Sequence, residues 1–264
     1  MSDSSPRIDR LAREADFQDK RVARSLQGER ELRDRFYFIT EPAKREFDNL
    51  QFALEGKRVV VVGCGDGGVT PLARRGVCVE GIDISPLAIE KLNHAIAAEG
   101  LGQFASARVM NAEALEYPAG SLDAIACTGV LHHLDTETAL RSWSQSLKPD
   151  GQVLLFEPLA RHPLVALFRL ITPSMRTADE HPLRGRDFRI MRQYFMSTER
   201  HDYGLLTPLA AAVALVPGLS GLARRIAGTL ERLDNHILSA FPFMAAFCWM
   251  SVIVLRQPRV QGRA

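Results

Sequence analysis

The chain has 264 residues, of which 46% are hydrophobic and 24% charged, with a formal net charge of +2. Those values are ordinary for a globular protein and exclude a collagen-like or low-complexity chain. Four cysteines (Cys64, Cys78, Cys127 and Cys248) with no C-x-x-C pair read as small apolar fillers in a reducing compartment, so neither a disulfide frame nor a metal site is expected.

In chain order, residues 1–5 read as disordered. From Ile8 to about Phe47 the sequence is charged and helix-forming, interrupted near Gly28 and Pro42 and carrying the cluster Phe36-Tyr37-Phe38. Lys57–Val62 predicts a first strand, Val69–Arg75 a short helix stopped by Gly76, and Val77–Ile82 a second strand. Ser85-Pro86 caps a helix running to about Ala98, with Ile89, Leu92 and Ile96 on its inner face. Ser106–Met110 and Leu122–Cys127 are strands, Thr136–Leu147 a helix, Lys148–Gly151 a turn and Gln152–Phe156 a fifth strand. Strands alternating with helices imply a doubly wound, mostly parallel sheet of the Rossmann type.

Past Glu157 the alternation stops. Leu164, Leu167, Phe168 and Ile171 make a short apolar helical face, and Pro173–Leu183 a polar loop with Arg176, Asp179, Glu180 and His181. Asp187–Tyr194 predicts a helix, Ser197–Gly204 a sixth strand and Phe247–Leu255 a seventh. Between them Leu219, Leu222, Ile226, Leu230 and Leu233 follow helical spacing and predict an amphipathic helix, with Arg224, Arg225, Glu231 and Arg232 on the other face. The uncharged run Ile237–Leu255 is long enough to cross a bilayer, but Pro242 and its strand-forming second half favour a closing central strand. The organisation expected is a helical cap over 1–50, a Rossmann-like core over 51–158, and a region 159–264 holding the last two strands and two insertions, 159–183 and 205–245.

Charge is unevenly spread. Residues 158–264 hold 14 arginines, no lysine and seven acids. Solvated surface arginine explains this, and so does an anionic acceptor or an anionic membrane surface. No basic patch interleaved with aromatics appears, so nucleic acid is not an expected partner. The polar stretch as far as Arg35 does not look like a secretory signal, and a cytoplasmic location is expected.

The most informative run is Val59-Val60-Val61-Val62-Gly63-Cys64-Gly65-Asp66-Gly67-Gly68, followed by Asp83 at the end of the second strand. A β-branched strand feeding a glycine turn and a helix, with a carboxylate twenty residues on, describes a nucleotide-cofactor pocket. The glycines alone fit both a dinucleotide fingerprint (Gly63, Gly65, Gly68) and a G-x-G-x-G pattern (Gly63, Gly65, Gly67).

From Val59 to Pro158 the chain resembles the class I S-adenosylmethionine (SAM)-dependent methyltransferases, in particular their small-molecule branch. The resemblance rests on V-V-V-V-G-C-G-D-G-G (59–68), G-I-D-I-S-P-L-A-I (81–89), N-A-E-A-L-E-Y-P-A-G-S-L-D (111–123), G-V-L-H-H-L (129–134) and L-K-P-D-G-Q-V-L-L-F-E-P (147–158). It implies SAM as cofactor and S-adenosylhomocysteine (SAH) as product. The backbone of Gly63, Gly65 and Gly67 would pass the methionine part, Asp83 would take the ribose hydroxyls and Ile84 one face of the adenine. Asn111, where the family more often has Asp, and Ala112 would read the adenine edge. Thr128 would lie by the sulfonium end, and Tyr37 would close over the cofactor. Glu113 is expected either to assist or to be exposed.

Methyl transfer is an in-line displacement that needs a base only where the acceptor loses a proton. His133 is the favoured base, with Glu157 orienting it or acting itself, and His132 beside it; a role for the histidines in shaping the helix entry is the competing reading. The insertions suit a lid over a small apolar or anionic acceptor, with O-methylation favoured over transfer to carbon or nitrogen. A non-catalytic SAM-binding protein and a nicotinamide oxidoreductase are the rival classes. The basic amphipathic helix over 219–234 suits peripheral contact with the inner face of a membrane or burial in a homodimer.

Overall fold

The computed structural model describes residues 5–26, 36–66, 68–172, 177 and 180–259. Its centre is a seven-stranded sheet in the order β3-β2-β1-β4-β5-β7-β6, formed by β1 (Arg58–Val62), β2 (Cys78–Asp83), β3 (Ala105–Val109), β4 (Leu122–Thr128), β5 (Leu147–Pro158), β6 (Phe195–Tyr203) and β7 (Met250–Pro258). β7 runs antiparallel to both β5 and β6, and the other pairs are parallel. The doubly wound sheet expected from the alternation is present. The predicted turn over Lys148–Gly151 lies within β5, whose register against β4 breaks between Leu122 and Ala124.

The valine run is buried on both sides of the sheet. Val60 and Val62 face a core that includes Leu140 and Trp143 of α5 (Thr136–Ser146) and Phe188 and Met191 of α7 (Gly185–Tyr194). Val59 and Val61 face the opposite core, with Phe47 of α2 (Glu41–Phe52), Leu72 of α3 (Val69–Ala73) and Leu92 of α4 (Pro86–Ala98). A strand covered on both faces reads as continuous apolar sequence, as this one does.

Helix α1 (Ser5–Leu26) packs against α4; Gly28 and residues 1–4 lie outside the described residues. Pro42 does not interrupt a helix but occupies the first turn of α2, where its missing N–H costs nothing. The elements that follow β5 roof the carboxyl edge of the sheet. They are α6 (Pro163–Ile171), α8 (Ala210–Ala214) and α9 (Ser220–Ala240). No helix among the described residues is long and apolar enough to cross a membrane, and the run Ile237–Leu255 divides between the end of α9, a short 3-10 turn and β7.

The helix expected over 219–234 is present as α9. Its buried residues are Ala223, Ala227 and Asp234, whereas Leu219, Leu222 and Leu233 are exposed. Ala223 and Ala227 share a core with Phe38 and Ile39, and the partly buried Ile226 and Leu230 pack against it. Asp234 accepts hydrogen bonds from the backbone N–H groups of Leu205, Leu206 and Thr207 at 2.8–3.2 Å, fixing the segment that leads into α8. Cys78 is exposed, unlike the filler expected; the other three cysteines are buried.

His162 caps α6: its Nδ1 accepts from Val165 N at 3.3 Å and its Nε2 donates to the Leu205 carbonyl at 3.0 Å. That arrangement requires the neutral ring, and burial holds its pKa below the usual 6.5. The unfolded chain therefore binds the proton first, so the stability this cap contributes above 6.5 is lost as pH falls below it. Urea unfolding at a series of pH values should show wild type losing stability below pH 6.5 relative to His162→Asn, which keeps a capping oxygen that does not titrate.

Candidate functional site

The carboxyl ends of β1, β2, β4 and β5 open into a cavity of about 700 Å³, closed over by α1, α6 and the segment entering α8. Open α/β sheets place ligands at this edge. The floor is the turn after β1. Gly63 has φ +70°, and a Cβ there would lie 2.1 Å from Val130 Cγ2. Gly65 N donates to Asp83 Oδ2 at 3.0 Å, while Ser85 N donates to Asp83 Oδ1 at 2.9 Å. Asp83 thus holds both the glycine turn and the start of α4, with its carboxylate at the cavity wall. Burial, reinforced by the Asp83 charge, pushes the Cys64 thiol pKa well up, so Cys64 is packing and not a nucleophile.

Of the predicted cofactor residues, Gly63, Gly65, Asp83, Ile84, Asn111, Ala112, Thr128 and Tyr37 all line this cavity. Gly67 lies outside the described residues. Asn111 Oδ1 accepts from Glu113 N at 2.9 Å, and Trp143 Nε1 donates to Ala112 O at 2.8 Å, which fixes the loop after β3. Glu113 is neither exposed nor turned to the cavity: it is buried, pairs with Arg10 of α1 and accepts from Asp135 N at 2.8 Å. Tyr37 is half exposed at the mouth.

The histidine pair forms the polar end of the cavity. His132 and His133 sit in a 3-10 turn after β4, with ring centroids 4.3 Å apart. Glu157 is fully buried and does not line the cavity. Its Oε1 accepts from Val130 N at 3.0 Å and Leu131 N at 2.8 Å, and its Oε2 accepts from His132 Nδ1 at 2.7 Å. The residue it orients is therefore His132, not His133 as expected. With its proton on Nδ1, His132 turns the Nε2 lone pair away from Glu157.

Glu14 gives no signal in the sequence, whereas Glu180 belongs to a polar loop that the sequence offers either as a lid contributing groups to the acceptor or as a salt-linked surface loop. Glu180 Oε1 lies 3.9 Å from His132 Nε2 and pairs with Arg169; Glu14 of α1 lies 3.5 Å from His133 Nδ1 and pairs with Thr177. Glu180 stands in the loop that the sequence marks as polar, whose Met175, Arg176 and Asp179 lie outside the described residues. Leu164, Val165, Phe168 and Ile171 of α6 with Leu215 form an apolar part of the wall, while Arg10, Gln18 and Arg21 of α1 and Arg169 of α6 add polar groups to it.

Residues 60–155 match the family model described as a methyltransferase domain. A ubiquinone biosynthesis O-methyltransferase of Dechloromonas aromatica is 36% identical over 135 residues, which are 49% of this chain and 56% of that protein. The chain thus spans about half the length of the curated relatives it matches. Among solved structures, a geranyl diphosphate C-methyltransferase of Streptomyces coelicolor A3(2) superposes with a TM-score of 0.56 at 18% identity, covering 82% of this chain and 80% of that one. The cyclase SpnF superposes at 0.54 and 18% identity, covering 82% of each chain. At such identity these structures establish the fold alone.

Gly63→Ala should lower stability by about 1–3 kcal/mol, through its positive φ and the collision with Val130. It should also weaken SAH binding by isothermal titration calorimetry. Adding Val130→Ala should restore part of the stability in urea unfolding; no recovery would mean that the Val130 contact is not the cause.

Proposed function

We propose that this chain, which carries a class I SAM-dependent methyltransferase domain over residues 60–155, transfers the SAM methyl group to a hydroxyl of a small, apolar, lipid-like acceptor. The observation that carries this reading is that one cavity is lined both by the residues expected to hold the cofactor and by apolar side chains, with the histidine pair among them. Gly63, Gly65, Asp83, Asn111 and Thr128 make up the former group, and Leu164, Phe168, Ile171 and Leu215 the latter. Its volume of about 700 Å³ lies in the range of small-molecule sites, roughly 300–1,000 Å³.

The division of labour follows from the side chains. The glycine turn lets backbone approach the methionine part of SAM, and Asp83 accepts the ribose hydroxyls. The sulfonium already makes the methyl electrophilic, so the protein contributes alignment and exclusion of water. The acceptor's apolar body lies against α6, and its hydroxyl is placed at His132 and His133, where it loses its proton. Glu157 is a positioning residue: it holds His132 in one tautomer and ties the turn after β4 to β5. The names of the similar proteins support an acceptor of this kind, since ubiquinone biosynthesis and geranyl diphosphate both involve prenyl-bearing molecules.

With labelled SAM and a panel of apolar phenols and alcohols, label should pass into the organic phase. His133→Ala should lower kcat by about 100-fold or more, the scale of a lost proton-transfer group, with SAH affinity unchanged. Wild type that binds SAH but labels no acceptor would support the non-catalytic reading. A His133→Ala variant that methylates these acceptors as wild type does would remove His133 as the base.

The roof supports a second element of the proposal, contact with an anionic bilayer. No residue of α6 is buried; Leu170 is 77% exposed and Ile171 69%. The same helix lines the cavity, so its apolar surface runs from there to the outside. Exposed Leu222 and Leu233 share the outer side of α9 with exposed Arg225 and Arg232, which suits an anionic headgroup layer. In flotation assays the protein should rise with phosphatidylglycerol vesicles at low salt and less at high salt, and Leu170→Asp should abolish this. Absence of binding to vesicles, with dimerisation that Leu170→Asp disrupts, would assign the surface to a second copy of the chain.

A further inference from the structure

The polar end of the cavity gathers more ligating groups than placing a hydroxyl requires. His132, His133 and Glu180 each offer a ligand atom, and these atoms all lie within 4.8 Å of one another. Two come from the turn after β4. The third comes from a segment held beside it, where His181 N donates to His132 O at 2.8 Å and Leu159 bridges to Leu183. Glu14 stands at the edge of the group.

Three features distinguish this cluster from an ordinary polar network. First, the buried Glu157 carboxylate accepts from His132 Nδ1 at 2.7 Å and so directs a lone pair from Nε2, the support that metal-ligating histidines commonly have. Second, His133 Nδ1 is buried and makes no hydrogen bond, with the Glu14 carboxylate standing off at 3.5 Å, a costly state for a ring nitrogen without a ligand. Third, three carboxylates (Glu14, Glu157 and Glu180) stand against the two imidazoles, and of these Glu180 also pairs with Arg169. A surplus of carboxylate in a partly buried site favours a cation.

We infer that His132, His133 and Glu180 form a binding site for a divalent first-row transition-metal ion, with Glu157 fixing the His132 tautomer. Two imidazoles and a carboxylate suit such ions better than they suit magnesium or calcium. The catalytic meaning of the site rests on the methyl-transfer reading above. An ion held there would coordinate the acceptor oxygen and make its proton more acidic. With the imidazoles engaged as ligands, the O–H bond would break with its proton passing to water in place of His133. The oxygen pair then forms the C–O bond as the S–C bond breaks, and sulfur keeps that electron pair as SAH.

Cobalt(II) alone is the probe, because its visible absorption reports nitrogen and oxygen ligation. After EDTA treatment and desalting, the full chain should bind one Co²⁺ and develop these bands. His132→Ala and Glu180→Gln should each weaken binding by about tenfold or more. Glu157→Gln should weaken it by about 10- to 100-fold, since its amide would donate to His132 Nδ1 and drive the ring proton to Nε2. His236→Ala, exposed on α9, should bind as wild type does. Circular dichroism shows which variants fold, and Glu180→Gln, at the cavity wall, decides the matter if His132→Ala does not. Wild type without bands, or bands that survive both substitutions, would overturn the site. The titration contains no cofactor, so that failure leaves the methyl-transfer reading intact; Co²⁺ bands in a protein that binds no SAH would retain the site and remove that reading.

Discussion

The buried carboxylate of Glu157 is the interaction on which the rest of the site depends. It sits at the end of β5 with no exposed surface, yet its two oxygens accept from two backbone N–H groups of the turn after β4 and from the ring of His132. Removing a carboxylate from water is costly unless its lone pairs are satisfied, and here several hydrogen bonds offset that cost. One side chain therefore joins two central strands, sets the conformation of residues 130–132 and determines which nitrogen of His132 carries the proton. The same turn supplies Val130, whose Cγ2 occupies the space that only a glycine at position 63 leaves open. Cofactor floor and acceptor end are thus built from one piece of backbone.

Asp83 performs a similar task on the other side, anchoring Gly65 and Ser85 through separate oxygens. Above it α1 is attached largely by polar groups: Arg10 to Glu113 and the His133 carbonyl, Asp19 to Ser85 and Leu87 N, Glu14 to Thr177. Among the described side chains of α1 Val22 is the one buried apolar residue, against Ala88, Ile89, Leu92 and Ile96 in α4. Such polar ties rupture at lower cost than an apolar core, which suits an element that substrates must pass.

The core of the fold was legible because its signals are local. Continuous valines record a strand covered on both faces, Ser85-Pro86 records a helix start, and the glycine turn with Asp83 records a cofactor site. The roof was less legible. In α9 the apolar residues have helical periodicity, but Ile226 and Leu230 turn inward beside Ala223 and Ala227 while Leu219, Leu222 and Leu233 stay exposed, a division that periodicity does not reveal. Adjacent histidines likewise do not disclose which one a distant glutamate will hold. Glu14 and Glu180 approach the pair from positions more than a hundred and about fifty residues away in the chain, and only the folded backbone brings them there.

A crystal structure with bound SAH tests the central claim most directly, because it locates the sulfur from which the methyl group departs. The account predicts ribose hydroxyls on Asp83, adenine against Ile84 and Asn111, and the sulfur facing His132 and His133 with the apolar wall of α6 left uncovered. A ligand whose sulfur points away from the histidine pair, or whose body lies against Leu164 and Phe168, would contradict it.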